Sequence, residues 1–241
     1  MKKSIKDQAI IEEVRTAYSL IQVGLGTLIQ MKENAYTFHV PLFQISNGIE
    51  RLLKCIILID YYTSNNNYPN DKRFFKNHIP SIISGHELDG LFKSVISIYE
   101  NTNLIKGFHD SESDYKYLTT NYIPKQLLVL LSAFATETRY RNLNVLLGAN
   151  NKEYISPEDS MVELIKEIIK TDYKNLNENE YRLFDLAVRE IFNAIVKMAR
   201  FSSVFFVFGG YGFEGAKHIF KAWTFLKYAG DPILDLEKYK K

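Results

Sequence analysis

The chain has 241 residues, 46% hydrophobic and 24% charged, with 30 basic side chains set against 28 acidic ones. This is globular composition of a length that buries a sizeable core, which excludes a disordered or low-complexity chain. A net charge of +2 is too balanced for bulk attraction to nucleic acid or a membrane surface, although it leaves room for a local basic pocket. The lone Cys55 excludes an intrachain disulfide and a cysteine-rich metal site, and suits a reducing, cytoplasmic setting.

The opening "MKKSIKDQAIIEEV" begins with basic residues, but Asp7, Glu12 and Glu13 interrupt the segment behind them, so no signal peptide is expected. Residues 5–31 place Ile10, Val14, Tyr18, Ile21, Leu25 and Leu28 at steps of three and four, an amphipathic helix. Pro41 suits the first turn of the next helix, where its missing N–H costs nothing. That helix reads "PLFQISNGIERLLKCIILIDYY" to about Tyr62 and, from Leu52 to Ile59, is apolar all round except at Lys54. Its expected place is the centre of a bundle. A polar loop comes next at 63–71, and "NDKRFFKNH" (70–78) is expected to be a basic loop with two phenylalanines tucked into the core.

Three later helix starts carry cap signals. "SGHE" pairs Ser84 at the N-cap with Glu87 three residues on, a capping box. "SPED" puts Pro157 at the first helical position with acids behind it, and "NENE" repeats the cap-plus-Glu pattern from Asn177 before a helix reaching about Phe208. Between these, residues 124–148 predict a helix closed by Gly148. "SDYKYLTTNYI" (113–123) is the best strand candidate, yet it reads better as a loop. The glycines at 209, 210 and 212 break the last segment, and the apolar stretch 201–213 is too short for the roughly 20 residues a membrane span needs. The expectation is an all-α chain of about six to eight helices in one domain over 1–241, with N- and C-terminal helices flanking a central bundle and no membrane contact.

Two polar groups sit where the pattern predicts core. In "FATETRYRNLNVL" (134–146), Glu137 and Arg141 are four apart on one helical face, with Asn144 three further on. Arg139 and Asn142 lie three apart on the neighbouring face. Guanidinium forks suit phosphate, and an asparagine amide can bond a base edge or sugar. In "GIERLLKC", Glu50 and Lys54 are four apart beside Arg51; charges on a buried helix need partners, so Glu50 pairs with Lys54 or with an arginine of the first group. His86, behind Ser84, falls at the positive end of a predicted helix, which disfavours its protonated form. His39, His78, His109 and His218 have no metal-ligand spacing, so neither a metal nor a cofactor is expected.

A long helix with "SNGIERLLKCIILI", then "SGHELDGLF", then a later helix with "RYRNLN" resembles the HEPN superfamily of helical-bundle proteins, over roughly residues 35–148. The helices of 156–238 would pack on that core. The resemblance implies toxin–antitoxin or anti-phage systems, and in active members a metal-independent ribonuclease whose motif joins an arginine to a histidine across four to six intervening residues, often with two copies meeting across a dimer. Arg141 and Asn142 match the opening of that motif, but the histidine positions hold Leu146, Leu147 and Gly148. Counting from Arg139 yields Asn144, Val145 and Leu146. Asparagine does not titrate and arginine is a poor base, so nothing in the motif handles the 2′-OH proton near neutral pH. The expectation is therefore a cytoplasmic homodimer that binds RNA or a nucleotide without cleaving it. Arg139, Arg141, Asn142 and Asn144 contact the ligand, with Glu50 and Lys54 as buttress. The competing expectations are a non-catalytic interaction module with a cognate protein partner, and a ribonuclease in which Arg141 works with His86.

Overall fold

In the computed structural model, the described residues are 5–30, 38–79, 87–102, 109–136 and 157–207. Among them there are eight helices and no strand: α1 (Ile5–Gln30), α2 (His39–Asn65), α3 (Phe74–His78), α4 (Leu88–Asn101), α5 (His109–Thr120), α6 (Tyr122–Thr136), α7 (Pro157–Asp172) and α8 (Glu180–Val207). No described helix is long and apolar enough to cross a membrane. The chain is an all-α bundle, as the three- and four-residue spacings predict.

α1 buries the face named by its periodicity, from Ile10 and Val14 through Leu28, and runs antiparallel along α2. Two glycines let the backbones meet. A Cβ on Gly24 would stand 2.8 Å from the Pro41 carbonyl oxygen, and one on Gly48 would stand 2.8 Å from that of Ala17. Only a residue without a side chain fits at either point.

α2 is the central helix. It packs against α1, α4, α6 and α8, and between Leu52 and Ile59 it buries Leu52, Leu53, Cys55, Ile56, Ile57 and Ile59. Pro41 stands in its first turn as expected, and Asn66 closes it in the left-handed conformation that asparagine tolerates. The expected loop at 70–78 contains the short helix α3, whose Phe74 is buried and whose Phe75 packs partly against the core.

Three local expectations need correction. Residues 113–120, read as loop, belong to α5, and Tyr122 and Ile123 open α6. α5 is polar overall, but Ser111, Asp114 and Leu118 lie three and four apart on its buried face, a helical stripe that hydrophobicity alone does not reveal. Asn121 separates the two helices and caps α6, its Oδ1 accepting from the Ile123 N–H at 2.8 Å. Glu87 is not the third residue of a capping box: its backbone is extended and α4 starts at Leu88. The Leu88 N–H instead donates to Ser132 Oγ of α6, so a neighbouring helix satisfies this N-terminal donor. At α8 the cap is Asn179, which accepts from the Arg182 N–H at 2.9 Å, two residues later than the expected Asn177. Pro157 does open α7, with Glu158 and Asp159 in its first turn.

α8 closes the bundle against α1, α2, α5, α6 and α7. Its apolar face runs from Ala187 to Phe206 and joins the core cluster that begins with Ile10. Tyr18 of α1 and Ser203 of α8, both buried, share a hydrogen bond of 2.6 Å between their hydroxyls.

Candidate functional site

Of the residues singled out in the sequence, the structure describes Glu50, Arg51 and Lys54. Glu137, Arg139, Arg141, Asn142, Asn144 and His86 lie outside the described residues. Lys54 Nζ donates to Glu50 Oε1 at 2.6 Å along α2, so the intrahelical pair is formed. The ammonium also stands 5.1 Å above the Phe75 ring centroid, a cation–π contact that joins α2 to α3. Arg51 turns the other way and pairs with Glu13 of α1. The three charges are thus split between two neighbours.

α6 carries the chain up to Thr136, and Ser46 of α2 donates its hydroxyl to the Leu131 carbonyl at 2.7 Å. With the Leu88–Ser132 bond, α2, α4 and α6 form one mutually packed set.

A second polar group, not singled out in the sequence, lies between α5 and α8. Asp114 is fully buried, and the Arg200 guanidinium grips both its oxygens: Nε donates to Oδ2 at 2.6 Å and Nη2 to Oδ1 at 2.5 Å. Lys197, one turn before Arg200, reaches Oδ1 at 3.4 Å while its ammonium lies 5.2 Å from the Tyr117 ring centroid. The side chains of Lys197 and Arg200 are only 12% and 9% exposed, so the carboxylate and both cations are held away from bulk water. Charged groups are tolerated there because they are paired and hydrogen-bonded.

Around this group, Tyr99 stacks on Tyr115 at 4.9 Å and tilts against Phe201 at 5.0 Å, while Tyr115 Oη donates to Glu100 at 2.6 Å. Two turns earlier on α8, Glu190 Oε1 accepts from Tyr173 Oη at 2.9 Å. Tyr117 Oη and Asn193 Oδ1 are buried without a hydrogen-bond partner. Burial first, and then the Glu190 carboxylate, push the Tyr117 phenol above its ordinary range, so it is neutral at physiological pH.

Chemically, the α5–α8 group is built to hold an oxyanion. Asp114 has both oxygens engaged and is no general base in this arrangement. Cys55 is no nucleophile either, since burial pushes its thiol up to about 12. The signal for the group was present in "FNAIVKMARFSSVFF": two cations three apart on an otherwise buried helix require an anionic partner, by the reasoning applied to "GIERLLKC". What the sequence does not disclose is that the partner stands 86 positions upstream of Arg200.

No family model, curated protein or solved structure matches this chain.

Proposed function

We propose that the protein is a HEPN-like helical module that binds RNA or a nucleotide, without cleaving it, in a defence or stress system. The observation that supports this reading is the mutual packing of α2, α4 and α6, which brings together described parts of two segments that carry the resemblance and the helix that precedes the third in sequence. Arg139 and Arg141 contact phosphate, Asn142 and Asn144 orient it, and the Glu50–Lys54 pair buttresses the α2 side. The residue needed for proton transfer is missing from the motif, and the two arginines suit recognition of phosphate. The assembly proposed is a homodimer.

The test compares wild-type chain with the Arg139→Ala, Arg141→Ala double variant for binding and cleavage of single-stranded RNA, with solution mass recorded for both. Binding by the wild type, loss in the variant and intact RNA are the expected results. Cleavage by the wild type would replace this reading with that of a ribonuclease, for which His86→Ala then tests the base. Absence of RNA binding, together with a variant that changes in mass, would favour a protein-interaction module.

A further inference from the structure

α5 is seated differently from every other long helix in the bundle. Among its described side chains, the buried ones are Ser111, Asp114 and Leu118, so Leu118 alone is a buried hydrocarbon anchor. The rest of its attachment to α8 runs through the Asp114 carboxylate and partly exposed tyrosines.

A carboxylate serves these two cations incompletely. The Arg200 fork takes both oxygens at 2.5 and 2.6 Å. Lys197 is left sharing Oδ1 at 3.4 Å, well beyond the roughly 2.7–2.9 Å of a good ammonium–oxyanion bond. An ammonium has three donors. A phosphoryl group has a third peripheral oxygen and a charge of about −1.5 to −2, so it can satisfy the fork and the ammonium together. The Lys197 ammonium lies 5.2 Å from the Tyr117 ring centroid of α5, so the aromatic face is its remaining contact on that helix.

We propose that Lys197 and Arg200 of α8 form a phosphoryl-binding site, and that Asp114 occupies it as an internal mimic, with α5 as the cover. A phosphate-bearing ligand displaces Asp114, and α5 lifts to admit it. Apparent affinity is reduced by the fraction of molecules in which α5 is closed. This site is separate from the 137–144 cluster and stands or falls independently of the function proposed above.

The decisive measurement is hydrogen exchange on the full wild-type chain, with and without inorganic pyrophosphate at low ionic strength. The expected result is that amides of 111–120 exchange ahead of those of α8, and faster still when pyrophosphate is added. Lys197→Met should abolish the pyrophosphate response. In calorimetry, Asp114→Asn, which keeps the side-chain shape and removes its charge, should bind pyrophosphate at least about tenfold more tightly than wild type. Competition in that variant by a short single-stranded RNA would identify a polynucleotide as the source of the phosphoryl group; its absence would identify a small phosphate. If α5 exchanges only together with α8 and pyrophosphate leaves it unchanged, the proposal is overturned. A gain confined to Asp114→Asn, with no wild-type response, overturns it too, because any buried salt bridge that loses its anion attracts another. Should Asp114→Asn fail to fold, the wild-type exchange result decides alone.

Discussion

α2 and α5 solve the same problem, holding a helix inside a bundle, by opposite means. α2 is seated by hydrocarbon packing on nearly all sides, and its charges are led outward to Phe75 and to Glu13. α5 carries its charge inward, and Asp114 is its most deeply buried side chain. Dispersion and the hydrophobic effect are non-directional, so α2 is held by many small contributions that can rearrange. α5 relies heavily on a directional, largely desolvated contact whose loss removes the carboxylate that Lys197 and Arg200 share. The first arrangement degrades gradually; the second fails at a point.

That contrast orders the expected effects. Asp114→Ala should cost the most, about 3–5 kcal/mol, because it removes a buried carboxylate from between Arg200 and Lys197; chemical denaturation of both chains measures it. A loss under 1 kcal/mol would show that α5 is held by its aromatic contacts instead. On the α2 side the sensitive point is steric. Gly48→Ala would drive a Cβ to 2.6 Å from Ile21 Cγ1 and 2.8 Å from the Ala17 oxygen. An overpacking penalty of about 1–3 kcal/mol results, read as a lower denaturation midpoint.

The α2 thiol sharpens the comparison through pH. Cys55 ionises at about 12 in the fold against an ordinary 9.0, so the unfolded chain releases its proton first as pH rises. The stability this thiol contributes is complete below about 9.0 and is lost as pH climbs towards about 12. Tyr18, also pushed up by burial, acts in the same direction. Alkaline denaturation with simultaneous titration by a thiol reagent should show Cys55 reacting only as the bundle opens.

Smaller effects lie at the rim of α2. Glu50→Ala removes the partly buried partner of Lys54 and should cost about 1–2 kcal/mol, the ammonium keeping its Phe75 contact. Arg51→Ala breaks a half-exposed pair and should cost under about 1 kcal/mol, falling further in salt. A ranking in which Arg51 outweighed Asp114 would invert the comparison altogether.

The parts of this architecture that could be read in the sequence are those with a local cause. The α1 stripe from Ile10 to Leu28, the apolar run of α2 and Pro157 at the head of α7 each arise from spacing within a few residues. α5 escaped because its buried face is one leucine, one serine and one aspartate, which look like surface until α8 is known to be opposite. The α4 start escaped because its capping group, Ser132, comes from another helix. The candidate site divides the same way. Glu50–Lys54 is an intrahelical pair and was legible, whereas Asp114–Arg200 is a tertiary pair whose members are connected by nothing local. The 137–144 cluster, read from motif and spacing, lies outside the described residues.

The hydroxyl pair between Tyr18 and Ser203 sets a clock on biosynthesis. At about 5–20 residues per second, roughly 10–40 s pass between the emergence of one partner and that of the other. Once α2 has followed, α1 has its Gly48-bearing neighbour to lean on, but the surface that α8 will cover stays open to water. A ribosome paused within the α8 codons would therefore present an N-terminal hairpin that is formed yet adhesive, a natural client for a chaperone that recognises exposed aliphatic side chains.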